Sequence, residues 1–176
     1  MELEFDVVDL AEADHPAVGE TAPDFERPLV NDEYWEDAAL SDLTAEGPVA
    51  LVFHPMNGAF PATYIWNELR DREIDEYDVT VVGLSISTPY AHKQLIEQRK
   101  LGDTDIRFFS DPANGVAERY GIANDLDGMT GISEPRPATF VVDGERTIQY
   151  AWVASEWPDF PDYDAFEAAI EDVSGA

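Results

Sequence analysis

Three histidines are the side chains in this sequence best suited to acid–base or metal chemistry near neutral pH: His15, His54 and His92. They lie far apart and form neither an H-x-x-x-H nor an H-E-x-x-H spacing, so no metal site is expected despite the many carboxylates. His54 directly follows an apolar run, where it could act as an acid or a base or be merely hydrogen-bonded. No metal and no other cofactor is expected.

The chain contains no cysteine. It therefore performs no thiol chemistry of its own and forms neither disulfides nor thiolate metal sites. The stretch 83–87 approaches a nucleophile-elbow pattern, but its final glycine is missing, and the sequence favours an ordinary strand end there. The sequence has no phosphate-binding glycine loop.

The charge balance is strongly acidic. The 176 residues carry 38 Asp and Glu against 10 Lys and Arg, a net charge of -28, and the acidic residues are spread between apolar runs. Such a surface is tolerated once salt screens the repulsion between carboxylates, which predicts a folded, halophilic protein of a saline cytoplasm. The charge would repel phosphate backbones and anionic lipids, so we expect neither nucleic-acid nor membrane binding. Residues 1–6 do not resemble a secretion signal.

The first half of the chain reads as strand, helix, strand, helix. Residues 49–53 form a continuous apolar run, which is typical of a strand buried on both faces. Apolar residues at helical spacing predict a helix over about 61–73, and residues 79–84 predict the next strand. A second helix is expected to start at Ser87 or Thr88 and to run to about Lys100. This order predicts a parallel βαβ unit.

The second half changes rhythm. We expect a short strand at 106–109 and a short helix at 114–120 closed by Gly121. Strands at 138–142 and 148–153 flank Asp143-Gly144, a hairpin signal, and a final amphipathic helix through Phe166 and Val173 is capped by Asp162.

Together these elements predict an α/β protein with a thioredoxin-like fold, in which helices flank a mixed central sheet. A small peripheral hairpin, with strands at 27–30 and 33–36, is expected to extend it at the N-terminal side. The predicted organisation is an N-terminal extension at 1–18 followed by one domain at 19–176.

Several stretches, in the right order, resemble the peroxiredoxin family, the alkyl hydroperoxide reductase and thiol-specific antioxidant (AhpC/TSA) group of thioredoxin-fold proteins. They are G-E-T-A-P-D-F at 19–25, L-S-D-L at 40–43, the strand and proline at 49–55, V-G-L-S at 82–85, F-S-D at 109–111 and V-A-E-R-Y-G at 116–121. The resemblance covers most of 19–173 and implies thiol-dependent peroxide reduction as the family's activity.

The family's active-site motif, P-x-x-x-[TS]-x-x-C, is incomplete here. Counting from Pro55, the Thr or Ser position is Ala59 and the peroxidatic cysteine position is Ala62. The family's chemistry needs a thiolate at a helix N-terminus, where its pKa is depressed. Alanine offers no such nucleophile.

The family's active-site arginine also departs from its pattern. Three residues before the aromatic residue of the late strand, its position is held by Pro137, and Arg136 is displaced by one. Pro137 resembles the proline before the late strand of thioredoxins, which implies a cis bond between Arg136 and Pro137.

Two classes of function follow from these residues. The first is a non-catalytic binding or dimer-forming module, expected to be a homodimer or to hold a small-molecule or protein ligand at the vestigial pocket. The second is an enzyme: either a peroxidase whose cysteine was replaced by engineering, or a protein with a non-thiol activity that uses His54 and Arg136. The aromatic and acidic run 152–166 is either a binding edge or, as the sequence favours, a loop anchored on the sheet.

Overall fold

The computed structural model describes residues 7–126 and 129–174. Its strands are β1 (Val8–Asp9), β2 (Glu26–Val30), β3 (Trp35–Ala39), β4 (Val49–Phe53), β5 (Thr80–Ser85), β6 (Arg107–Ser110), β7 (Ala123–Asn124), β8 (Glu134–Pro135), β9 (Ala138–Val142), β10 (Ile148–Val153) and β11 (Glu156–Trp157). Its helices are α1 (Leu40–Thr44), α2 (Phe60–Asp71), α3 (Pro89–Gln98), α4 (Gly115–Arg119) and α5 (Tyr163–Ser174), with a 3-10 turn at Ile74–Glu76. The predicted strands and helices of the βαβ and ββα halves are confirmed, with ends that shift by a few residues.

A seven-stranded mixed sheet forms the centre, in the order β10-β9-β4-β5-β6-β2-β3. Strand β5 pairs in parallel with β4 and β6, whereas β9, β10, β2 and β3 pair antiparallel with their neighbours. Helices α2, α3 and α5 contribute their apolar residues to one core cluster, and α1 and α4 contribute theirs to the other. The predicted α/β, thioredoxin-like arrangement is confirmed.

Strand β4 is buried along its whole length. Successive strand side chains point to opposite faces, so Leu51 and Phe53 join one core cluster and Ala50 and Val52 join the other. A strand that must be apolar on both faces reads as a continuous apolar run, which is why the sequence identified it.

Gly83 allows helix α2 to approach the sheet closely. A Cβ at this position of β5 would lie 2.5 Å from Trp66 Cζ2 of α2 and 2.6 Å from Phe108 Cδ1 of β6. Both rings are fully buried, and their centroids are 4.6 Å apart. The absent side chain therefore lets α2 rest directly on the sheet.

The predicted peripheral hairpin is part of the main sheet. Strand β2 pairs antiparallel with both β3 and β6, and the second strand runs over Trp35–Ala39 and not over 33–36. Asn31 makes the turn, because its Oδ1 accepts hydrogen bonds from the backbone N–H groups of Glu33 and Tyr34, both at 2.8 Å. Strand β3 therefore begins at Trp35, directly after this turn.

The predicted hairpin of β9 and β10 is confirmed, and its turn is held by an aspartate. The residue with left-handed backbone geometry is Arg146, at φ 63°, and not Gly144. The Asp143 Oδ1 atom accepts hydrogen bonds from the N–H groups of Glu145 and Thr147, both at 2.9 Å. An aspartate-centred loop of this kind fixes the hairpin through a side chain and does not need the glycine.

The N-terminal extension packs on the domain where the structure describes it. Strand β1 pairs with β11, and the Leu10 N–H group donates to the Ser155 carbonyl oxygen at 2.9 Å. Gly121, at φ 71°, has the left-handed conformation expected after α4, and a Cβ there would collide with the Asp14 carbonyl oxygen. Among residues 7–126 and 129–174, no helix has the length and apolar content needed to cross a membrane.

The few cations are shared among several carboxylates. Arg72 alone contacts Glu68, Asp164 and Glu167 at 2.8 to 3.1 Å. The sequence has 38 Asp and Glu against 10 Lys and Arg, so repulsion between carboxylates is expected to exceed attraction to cations at low salt. We predict that the midpoint of thermal unfolding, followed by circular dichroism, rises between about 0.1 and 3 M KCl. The rise should be steepest below about 1 M, because the screening length has already fallen to about 3 Å at that concentration.

Equal concentrations of NaCl serve as the control for this prediction, because screening by small monovalent ions does not depend on their identity. A midpoint that stays constant over the KCl series would show that repulsion between carboxylates does not limit folding.

Candidate functional site

The segment from the end of β4 to the start of α2 contains Pro55, Ala59 and Ala62, where the sequence resemblance predicts the active-site motif. Helix α2 starts after Ala59, which gives its first turn no side-chain hydrogen bond, and Pro61 occupies an early helical position. Ala62 is fully buried in this first turn, and its N–H group donates to the Ala59 carbonyl oxygen at 3.2 Å. Its methyl group packs in the helix start and presents no reactive atom.

His54 continues the alternation of β4. It is fully buried, and its ring lies against those of Trp66, Phe108 and His92, with centroid separations of 5.7, 6.0 and 6.5 Å. Its Nδ1 atom is 2.8 Å from the Pro55 carbonyl oxygen, so Nδ1 carries the proton. Burial lowers the pKa of His54 to about 4, which makes the ring neutral at pH 7.

His92, on α3, is the second buried imidazole. Its ring stacks on Phe108 with centroids 5.3 Å apart, and its Nδ1 atom lies 3.1 Å from Asn57 Nδ2. Burial, and next the proximity of His54, lower the pKa of His92 to about 3. Both imidazoles are therefore neutral at pH 7, and neither is exposed to solvent.

Hydrogen bonds tie the loop after His54 to the end of β5. The Asn57 N–H group donates to Ser87 Oγ at 2.9 Å, and Ser85 Oγ donates to Asn57 Oδ1 at 3.1 Å. On the other side, the Met56 N–H group donates to Glu134 Oε1 at 2.9 Å. The loop is thus held from two sides, although it carries no nucleophile.

Arg136 is directed towards the N-terminal extension. Its Nε donates to Asn124 Oδ1 at 2.8 Å, and its Nη1 donates to the carbonyl oxygens of Ala11 and Ala154 at 3.0 and 3.1 Å. Burial lowers the pKa of Arg136. The guanidinium and the His54 imidazole contact different elements, so the structure does not bring these two candidate residues together.

The predicted cis bond between Arg136 and Pro137 is wrong. Among the described residues, the cis peptide bond is at Trp157-Pro158. Two backbone hydrogen bonds hold the segment around Pro137. The Arg136 N–H group donates to the Ile122 carbonyl oxygen, and the Ala154 N–H group donates to the Pro137 carbonyl oxygen. The resemblance of this loop to thioredoxins does not hold.

Five of the six candidate positions are buried. Those that are buried are His54, Pro55, Ala62, Arg136 and Pro137, while Ala59 is partly exposed. Within residues 7–126 and 129–174, no group of three or more His, Cys, Asp or Glu is placed to hold a metal ion. The candidate positions thus offer one neutral imidazole, two methyl groups and a guanidinium that is bonded elsewhere.

This arrangement of fold and loop has known relatives. The sequence matches the AhpC/TSA family over residues 18–151, which is most of the chain. The chain belongs to the AhpC/TSA family. Within this family it is a member without cysteine, and position 62, where the motif counted from Pro55 predicts the peroxidatic cysteine, is an alanine.

Individual relatives agree with this membership. A chloroplastic 2-Cys peroxiredoxin, BAS1, of Hordeum vulgare is 27% identical over 149 residues, which cover 81% of this chain and 69% of the relative. The corresponding protein of Spinacia oleracea is 28% identical, with 80% of this chain and 53% of the relative matched, so the chain spans about half of that protein. The crystal structure of peroxidoxin BcpB from Mycobacterium tuberculosis superposes with a TM-score of 0.73 at 27% identity, covering 90% of this chain and 99% of that one.

Sequence reasoning missed the polar network beneath the loop. Asn57, Ser85, Ser87 and Glu134 come from distant parts of the chain and form no recognisable motif. One signal was available, since the carboxyl ends of the parallel strands β4 and β5 must lie side by side, which places residues after 53 near residues after 85.

The depressed pKa of His54 predicts how the free energy of unfolding depends on pH. The folded-state pKa is about 4 and the ordinary value is 6.5, so the unfolded chain binds more protons between these pH values. The free energy of unfolding should therefore fall as the pH decreases from 6.5 towards 4, with His54 contributing about 1.4 kcal/mol per pH unit. Urea titrations of the wild type and of His54→Asn at constant KCl concentration measure the difference in slope.

His15→Asn is the matched control, because His15 Nδ1 likewise contacts the carbonyl oxygen of the next proline, at 2.9 Å, but the residue is not fully buried. His54→Asn should flatten the dependence on pH and His15→Asn should not. Equal slopes for His54→Asn and the wild type would contradict the buried, neutral state of His54.

Proposed function

We propose that this AhpC/TSA family member is a non-catalytic module that binds a ligand or a second copy of itself and lacks thiol peroxidase activity. The observation that carries the proposal is the combination of alanine at position 62 with full burial of that position. A peroxide bond is broken by a thiolate that is accessible and stabilised. At position 62, the first turn of α2 has neither a thiol nor access to solvent.

Two enzymatic alternatives remain distinct from this proposal. If the cysteine was replaced by engineering, the codon of residue 62 in the source gene would encode cysteine. A non-thiol activity that uses His54 and Arg136 would need both groups at one reactant. Their contacts argue against it, because His54 Nδ1 bonds to Pro55 while the Arg136 guanidinium bonds to Asn124, Ala11 and Ala154.

We further propose that the module works as a homodimer in a saline cytoplasm. Strand β10 supports the dimer, because it is an edge strand of the central sheet, and the N-terminal segment bonds this edge at Ile148 through Gly19 and Glu20. The net charge of -28 supports the saline setting, since two such chains approach each other only when salt screens their repulsion. Sedimentation equilibrium in about 2 M KCl measures the mass of the assembly.

The proposal predicts two results with hydrogen peroxide. The wild type should consume no peroxide above the buffer rate in the presence of dithiothreitol and KCl. Ala62→Cys should form sulfenic acid no faster than a cysteine on the surface, because burial in apolar surroundings raises a thiol pKa and Ala59 supplies no donor. Peroxide consumption and trapping of the sulfenic acid measure the two quantities.

The matched control is Ala168→Cys, at an exposed position of α5, and circular dichroism verifies that both variants fold. Saturable peroxide consumption by the wild type would overturn the proposal. The proposal would also be overturned if Ala62→Cys formed sulfenic acid on the order of 10²-fold faster than Ala168→Cys. A rate difference of that size is the typical effect of one positioned hydrogen-bond donor.

A further inference from the structure

An aromatic groove lies beside the closed site, between α2 and the segment that precedes α5. Its volume is about 420 Å³, within the range of small-molecule sites. The lining residues are Phe60, Tyr64, Glu68, Pro158, Phe160 and Tyr163. Four of these six carry an aromatic ring and one carries a charge, so the wall is largely apolar with a single carboxylate.

The rings of this groove are exposed although they are large. Tyr64 is 59% exposed, and Phe60 and Phe160 are each 37% exposed. Their centroids lie 6.1 to 6.3 Å apart, so the three rings form one continuous aromatic surface. Contiguous exposed apolar surface of this kind marks interaction sites more often than scattered single residues do.

The arrangement follows from the sequence. Phe60, Tyr64 and Glu68 are four residues apart, which places them on successive turns along one face of α2. The opposite wall comes from the aromatic and acidic run that precedes α5. Within this run Trp157 is buried, whereas Phe160 is exposed, so part of the run anchors the chain and part of it forms a surface.

The groove carries excess negative charge. At its α2 end one guanidinium, that of Arg72, is shared by the carboxylates of Glu68, Asp164 and Glu167 at 2.8 to 3.1 Å. Burial, and next the negative charge of Glu68, raise the pKa of the Tyr163 hydroxyl. In a chain of net charge -28, anions are repelled from this surface and cations are attracted to it.

The chain itself already places a cation against this wall. The guanidinium carbon of Arg72 lies 5.6 Å from the centroid of the Tyr163 ring. A cation within about 6 Å of an aromatic centroid is attracted by the negative face of the ring. The same chemistry extends along the groove to Tyr64, Phe60 and Phe160.

We propose that this groove binds a small organic cation, such as an ammonium group that carries apolar substituents. The aromatic rings bind the apolar substituents and attract the charge, and the surrounding carboxylates favour a cation over a neutral molecule. The site is separate from the closed peroxidase position, so it goes beyond the proposed function and does not depend on the peroxide assays.

The test compares two probes of the same shape, choline and its neutral isostere 3,3-dimethylbutan-1-ol. Each is titrated into the full chain in about 2 M KCl while the ring resonances of the tyrosines are followed by NMR. We expect saturable shifts of Tyr64, with choline binding about tenfold more tightly than the isostere. Tyr64→Ala should weaken choline binding about fivefold or more, whereas Tyr64→Phe should retain it.

Tyr90→Ala is the matched control, because Tyr90 is 71% exposed on α3 and does not line the groove. It should leave choline binding unchanged. Equal affinities for the two probes would show an apolar site without selection for charge. Unchanged binding by Tyr64→Ala, or no saturation with wild type, would show that the groove does not bind a cation, and each of these three results overturns the proposal.

Discussion

The burial of β4 on both faces is the constraint on which the rest of the structure depends. All five of its residues are fully buried, so helices must cover the sheet on both sides. The alternation of side chains divides them between two cores, and His54 continues this alternation into the core formed with α2 and α3. The loop that starts at His54 thereby begins inside the protein and not at an open pocket.

The closed state of the site follows from this constraint. Trp66 rests on Gly83 and brings the first turns of α2 against the sheet, so that Ala62 is buried. Below the loop, Asn57 connects the end of β5 to His92 through hydrogen bonds of 3.1 Å. The residues around this loop are thus held by packing and hydrogen bonds. The exposed rings of Phe60 and Tyr64 lie next to Ala62 in sequence, in the first turns of α2.

Features set by local pattern could be predicted from the sequence. The apolar run of β4, the Thr88 cap of α3 and the Asp162 cap of α5 depend on residues within one element, and all three are present. The assignment of Ala62 to the peroxidatic position, counted from Pro55, stays a prediction.

Features set by distant contacts could not be predicted in this way. Strand β2 joins the main sheet because it pairs with β6, which lies about eighty residues later in the sequence. The local sequence pattern around β2 indicates only a hairpin. Arg136 bonds to the carbonyl oxygen of Ala11, a contact that its own neighbourhood in the sequence does not encode. The aromatic groove likewise combines residues of α2 with Phe160, which the sequence analysis favoured as part of an anchored loop.

The central claim is that the double burial of β4 holds His54 inside the core as a neutral imidazole. A nitrogen NMR titration of the histidine side chains in KCl measures this state directly. The account predicts that the His54 resonances keep the pattern of a neutral ring protonated at Nδ1 from pH 8 down to about pH 5, because the pKa is about 4. A titration of His54 with a midpoint near the ordinary value of 6.5 would contradict it, since the ring would then be in contact with solvent.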